Sequence, residues 1–317
     1  MPRDPIICTD QTQCFDATGM QVSCPGAGQE GGLRPGAVWP EPRFSEQNGA
    51  VADRLTGLFW KKDAGKDAFP MSWSEAGEMV ASLNEGKEAG RADWRLPDRI
   101  ELFSLVSHAR INPALPAGHP FSGVFPGYYW SETSCAAADS QAWYVHFGGG
   151  RVQKGMKHGS YMVWPAAGPR YRPYRRRGEG PRFHADGDTA IDRATGRMWA
   201  REPGLGKGAV SWTEALALVE ALNRIRWGGF ADWRLPGGRE LESLVDLGQH
   251  SPALTKGHPF TAPPQGCWTA TTSVYEPSYA WVVYFREGAV GVGFKPKAEF
   301  GLWPVRGLKA ESIAHSA

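Results

Sequence analysis

The densest chemistry in the chain is Pro169-Arg170-Tyr171-Arg172-Pro173-Tyr174-Arg175-Arg176-Arg177-Gly178-Glu179-Gly180. A guanidinium is a planar fork of donors that matches sulfate or carboxylate oxygens two at a time. Arg170, Arg172, Tyr174, Arg175, Arg176 and Arg177 are therefore the candidate ligand-binding residues, for an acidic or sulfated polymer. The competing reading is a solvated spacer, since clustered like charges repel and prefer water. Asp93-Trp94-Arg95 and Asp232-Trp233-Arg234 could read a ligand, but a Trp at a strand-to-helix junction is expected in the core, its charged neighbours making local hydrogen bonds. His119 and His258 sit in matching Gly-His-Pro-Phe segments, one imidazole each, too few for zinc. Asp186-Gly187-Asp188 offers two carboxylates to calcium, yet an EF-hand loop needs more oxygens in register. Apart from that incomplete pair no metal or cofactor is expected. No G-x-S-x-G, H-E-x-x-H or P-loop occurs, and no catalytic residue is assigned.

Cysteines stand at positions 8, 14, 24, 135 and 267, with no C-x₂-C pair for a zinc ribbon or a redox site. Between Cys14 and Cys24, Ala17-Thr18-Gly19 can make a tight turn. That puts both sulfurs at the open end of a hairpin and predicts a disulfide, hence an oxidising compartment; two free thiols are the alternative. Cys8, Cys135 and Cys267 have no partner assignable from spacing. Met1-Pro2-Arg3-Asp4-Pro5-Ile6-Ile7 has no apolar h-region, so a signal peptide has either been removed or is not the export route.

What must position these residues is an internal duplication. Asp53-Arg54-Leu55-Thr56-Gly57 answers Asp192-Arg193-Ala194-Thr195-Gly196, an offset of 139, and Ala92-Asp93-Trp94-Arg95-Leu96-Pro97 recurs unchanged as Ala231-Asp232-Trp233-Arg234-Leu235-Pro236. Trp60, Trp73, Trp94, Trp130, Trp143 and Trp164 pair with Trp199, Trp212, Trp233, Trp268, Trp281 and Trp303. Of the 14 Trp only Trp39 and Trp227 are unmatched. A period this long means two copies of a domain rather than a solenoid. The boundaries are read as an N-terminal segment 1–40, module one at 41–168, a linker 169–179, module two at 180–309 and a tail 310–317. The paired Trp, in particular Trp60, Trp94, Trp130, Trp143, Trp199, Trp233, Trp268 and Trp281, are expected to be structural core.

Ser72-x-x-Glu75 and Ser211-x-x-Glu214 are capping boxes ahead of Ala76, Met79, Val80, Leu83 and of Ala215, Leu218, Val219, Leu222, the spacing of one buried helical stripe. Shorter helices follow Pro97 and Pro236. Alternating aromatic segments at 128–132, 142–147 and 161–164 predict strands, with Gly148-Gly149-Gly150 and Glu287-Gly288 as hairpin turns. Each module thus reads β-α-α-β-β-β, an α+β fold with a mixed sheet, its first and last strands able to pair. The 40 Gly and 25 Pro suit such short elements. A net charge of only +2 gives no general reason to expect nucleic acid, and no apolar run approaches the roughly 18 residues of a membrane span.

Aspartate-Trp-Arg-Leu-Pro, Glu240 to Leu244, Ala142-Trp143-Tyr144-Val145, and the closing Trp303-Pro304-Val305-Arg306-Gly307 together resemble the Lcl C-terminal domain family (DUF1566), named after a collagen-like adhesin of Legionella. The opening Cys14-Phe15-Asp16-Ala17, Cys24-Pro25-Gly26 and Trp39-Pro40 resemble it too. The resemblance spans nearly all of the chain. It implies tandem C-type-lectin-like modules in an exported or surface-attached bacterial protein, and points to a non-enzymatic adhesin for acidic or sulfated polysaccharide. The alternative is a structural subunit of an extracellular assembly, bound to surface proteins or to copies of itself. The enzyme branch of the lectin-like fold, the formylglycine-generating enzymes, uses paired cysteines, whereas Cys135 and Cys267 fall at unmatched positions. Module one departs from the pattern by ending Trp164-Pro165-Ala166-Ala167, without the arginine that module two keeps at Arg306.

Overall fold

The computed structural model describes residues 5–65, 69–174 and 180–308. These form two compact units, Val38–Arg172 and the described part of Met1–Ala37 with Pro173–Ala317. The N-terminal segment is a small hairpin, β1 (Cys14–Phe15) with β2 (Gln21–Val22), and one turn of helix, α1 (Glu30–Leu33). Asp16 makes the turn: its carboxylate accepts from Thr18 N, Thr18 Oγ1 and Met20 N, while Gly19 takes φ +92°. The Cys14–Cys24 disulfide closes the open end, with Cα atoms 5.3 Å apart.

In the first unit, β3 (Phe44–Gln47), β4 (Ala50–Asp53) and β5 (Phe59–Lys61) form an antiparallel meander. Helix α2 (Trp73–Glu85) follows, then α3 (Arg99–Ser104), then an antiparallel sheet of β6 (Tyr128–Cys135), β7 (Ala138–His146) and β8 (Val152–Met156). The short β9 (Ala166–Ala167) returns to pair with β5. Helix α2 starts where it does because Ser72 accepts from Glu75 N and Glu75 reaches back to Ser72 N. It buries Ala76 and Val80 against Trp94, Trp130 and Ala142.

The second unit repeats the plan with β10 (Phe183–Asp186), β11 (Thr189–Asp192), β12 (Arg197–Ala200), α4 (Trp212–Arg224), α5 (Gly238–Glu242), β13 (Gly266–Thr272), β14 (Tyr279–Tyr284), β15 (Ala289–Phe294) and β16 (Val305–Gly307), which pairs with β12. The chain is thus α+β, with the last strand of each copy joined to the third strand of its opening meander rather than to the first. Two details differ from expectation. The ladders named here are antiparallel, and each copy has two sheets rather than one mixed sheet; parallel contacts such as Tyr129 to Met162 are isolated bridges. The strand expected at 161–164 is also displaced. The third strand is the polar Val152–Met156, while Tyr161 and Met162 make single bridges. Polar β8 lacks the aromatic alternation that marks its neighbours, so periodicity passed it over.

The Trp pairs hold the cores. Trp60, Trp94, Trp130, Trp143, Trp164 and their partners Trp199, Trp233, Trp268, Trp281, Trp303 are buried, and many indole N–H groups donate to main-chain carbonyls: Trp130 to Met71, Trp268 to Val210, Trp164 to Lys61, Trp303 to Ala200. A buried polar edge needs such a partner, and each bond ties a strand to a distant loop. Beneath each meander lies a two-pronged ion pair, Arg43–Asp53 in one copy and Arg182–Asp192 in the other, whose arginine also donates to Ser104 O or Ser243 O.

Residues 5–37 do not stand apart as a separate piece but pack on module two. Gln11 donates to Thr272 O and accepts from Thr272 N, completing a gap in the sheet edge at 2.8 and 3.0 Å. Lys295 donates to Phe15 O and Asp16 O at 3.1 and 3.0 Å. Glu30 is fully buried against α5, accepting from Thr271 Oγ1 and from Gly238 N.

Candidate functional site

Two of the arginines singled out for a ligand are already engaged. Arg170 forms a two-pronged pair with Glu132, which raises its affinity for its proton. Arg172 pairs with Asp98, the N-cap of α3, and Tyr171 N donates to Glu101 Oε1. Burial pushes the Asp98 carboxyl up, the nearby Glu101 charge adds to that, and Arg172 works against both. The segment after β9 is therefore strapped by its own arginines to Glu132 of β6 and to Asp98 at the start of α3, rather than presented as free cations. Tyr174 donates its hydroxyl to Glu242 in the second unit at 3.2 Å. Arg175, Arg176 and Arg177 lie outside the described residues.

The Asp-Trp-Arg motifs are spent on the fold. Trp94 N and O bond to the Asn84 side chain at 2.7 and 2.8 Å, as do those of Trp233 to Asn223. Arg95 grips Glu101, and Arg234 grips Glu240. Burial would raise Glu240, but Arg234 and Arg197 outweigh it and hold the carboxyl at about 2. The missing closing arginine of module one is compensated. Arg306 pairs with Asp232 and lies over Phe230, whereas in module one Arg91 pairs with Asp93 and lies over Phe59. Arg91 occupies the sequence position of Phe230, so the charge has moved from the closing strand to the turn before the Asp-Trp-Arg motif.

His119 and His258 each stack on the phenylalanine two residues on, and burial lowers both pKa values. Asp186 and Asp188 are not joined into a metal cluster: among the described residues no three His, Cys, Asp or Glu side chains converge as a metal site would require. Cys8, Cys135 and Cys267 are buried and take no part in the disulfide, and burial pushes the Cys267 thiol well up.

A cleft of about 370 Å³ opens in the second unit, lined by Gly187, Asp188, Arg201, Glu202, Trp227 and Thr261 among others. The β10–β11 turn supplies one wall. Arg201 lines the cleft and is fixed by donating to Gly187 O at 2.7 Å and to Pro259 O at 3.3 Å. Trp227 comes from the 3₁₀ turn Trp227–Gly229, whose Gly228 and Gly229 take φ +60° and +86°. Its indole leans edge-on against the buried Trp233, centroids 5.1 Å apart, and remains half-exposed. Asp188, Glu202 and Thr261 are exposed around it. An indole beside polar acceptors and donors suits a ring bearing hydroxyls, and roughly 300 Å³ is the lower end of ligand pockets. Sequence reasoning missed this cleft. Its signal was available: Trp227 is one of two Trp outside the duplication, and Glu88 holds its place in module one.

A family model described as the Lcl C-terminal domain matches residues 49–167 and again residues 188–306. A search of curated proteins finds no match to the chain.

Proposed function

Because the chain belongs to the Lcl C-terminal domain family, which it carries as two tandem copies, we propose that it is a non-enzymatic, surface-associated binding protein of the adhesin type, with C-type-lectin-like modules and a polysaccharide ligand. The Cys14–Cys24 disulfide is compatible with the oxidising exterior such a role requires. The observation that carries the polysaccharide reading is the module-two cleft, where the Trp227 indole lies among Asp188, Glu202, Thr261 and the immobilised Arg201. Carboxylates accept from sugar hydroxyls but repel sulfates, so the cleft takes an uncharged ring. Acidic or sulfated groups on the same kind of polymer would fall to Arg175, Arg176 and Arg177.

A glycan array spanning neutral, uronic and sulfated polysaccharides tests this. Binding that falls about tenfold in Trp227→Ala, with an unchanged melting temperature, supports the cleft. Unchanged binding in that variant removes the cleft from the function. An array with no binding at all favours the structural-subunit reading instead. One observation on module one speaks for that second reading: Tyr128, Tyr144, Tyr161 and His146 form a cluster of rings with neighbouring centroids 4.6 to 5.7 Å apart, and Tyr128 is 42% exposed. Half-exposed tyrosine clusters are characteristic of protein interfaces, and mass measurement of native complexes checks it.

A further inference from the structure

Each module carries an indole at the first residue of its long helix with a lysine ammonium lying on the ring. Lys295 Nζ is 4.3 Å from the Trp212 ring centre, and Lys157 Nζ is 4.4 Å from that of Trp73. The two indoles are anchored alike, Trp212 Nε1 donating to Thr269 O and Trp73 Nε1 to Ser131 O. The lysines are placed alike, Lys295 N donating to Ser278 O and Lys157 N to Ser140 O. What differs is the cover. On module two the disulfide hairpin sits over the pair: Phe15 O and Asp16 O accept from the ammonium, and Gly28 lies on Leu216. Trp212 is 1% exposed and Lys295 0%. On module one Trp73 and Lys157 are both half-exposed, the Lys157 ammonium donates to no acceptor among the described residues, and the small Gly77 stands where Leu216 does. The other half of the seat is closed. Asp98-Arg99 replace the Gly237-Gly238 that admits Glu30, and Asp98 is held by Arg172.

We propose that the bare Trp73–Lys157 seat docks a turn of a partner polypeptide, one that points two consecutive main-chain carbonyls at the Lys157 ammonium as Phe15 and Asp16 do at Lys295. An ammonium resting on an indole has its free N–H bonds directed away from the ring, and two carbonyls at backbone spacing satisfy both. The closed glutamate half excludes a segment that also brings an acidic helical turn, so the occupant is the hairpin part alone. The occupied twin on module two supplies the precedent for that chemistry.

The test uses the full-length protein, whose module-two seat is filled by its own hairpin, and a fluorescent synthetic peptide of residues 12–26 with its disulfide closed. Saturable binding is expected, weakened about tenfold or more by Lys157→Met and by Trp73→Phe at unchanged melting temperature, and unaltered by Lys295→Met. No saturation, affinity indifferent to Lys157→Met, or affinity that follows Lys295 instead, would overturn the proposal. A native dimer that dissolves in Lys157→Met would also overturn it, by placing a second copy in the seat.

Discussion

Trp94 and Trp233 were legible as core from a repeated five-residue motif, and each is 2% exposed with its main chain clamped by an asparagine of the preceding helix. Replacing either by Ala should cost roughly 3–5 kcal/mol, read by urea denaturation, because a buried indole leaves both lost transfer energy and a cavity. Lys295 carries a different expectation. Burial lowers its pKa to about 7, against the ordinary 10.5, with the Asp16 charge opposing. Between those values the folded protein holds fewer protons than the unfolded chain, so stability rises as pH rises from about 7 towards 10. Denaturation curves across that window should show the slope in the parent and lose it in Lys295→Met. Glu30 bends the curve at the acid end in the opposite way. Burial raises its carboxyl pKa, so its contribution is fully present at low pH and declines as pH climbs through the carboxylate range. Neither group stands out in the sequence, since a buried lysine and a surface lysine are spelled alike.

At the scale of elements, the two long helices were predictable to their first residue, because a capping box is a local signal whose partners lie three positions apart. Ser72→Ala or Ser211→Ala should each cost about 1 kcal/mol by thermal denaturation. The short helix α5 was less transparent. Its N-cap position is Gly237, where module one has the capping Asp98, and a carboxylate from 207 positions earlier in the chain fills the space instead: a Cβ on Gly237 would lie 2.8 Å from Glu30 Oε1. Gly237→Asp should restore a local cap while expelling Glu30 by contact and like charge. Hydrogen exchange should then accelerate across residues 5–37 and leave the protection of 44–167 as it was. Full protection of the segment in that variant would mean that Gln11 and Lys295 hold it without Glu30.

For the whole molecule, the duplication offers two copies of a fold but not two copies of a site. The Trp227 cleft belongs to module two, the tyrosine cluster to module one, and the arginine run to the segment joining them. Replacing Arg175, Arg176 and Arg177 together by Ser should weaken binding to dextran sulfate, with no change in melting temperature. The parent's binding should also fade with salt, since exposed charges are screened over about 8–10 Å at physiological ionic strength. Arg170→Ser should leave that binding nearly unchanged, because its guanidinium is already committed to Glu132. Equal losses from both variants would show that the ion pair opens to the polymer.

The sequence by itself determined the duplication, the disulfide hairpin, the helix starts and the Trp cores, because each is written in short-range patterns or in recurrence at an offset of 139 with a single one-residue slip. It also showed which two tryptophans, Trp39 and Trp227, stood outside the repeat without saying what that meant. Only the tertiary structure decided which charges are free. Arg170 and Arg172 read as cations in the sequence and are bound to Glu132 and Asp98 in the fold. Likewise, only the fold could show the N-terminal hairpin resting on Lys295 and Trp212 while Lys157 and Trp73 lie bare. The physical reason is common to both cases. An ion pair or a docked segment depends on distance in space, and residues 38 to 280 positions apart leave no periodic trace of having met.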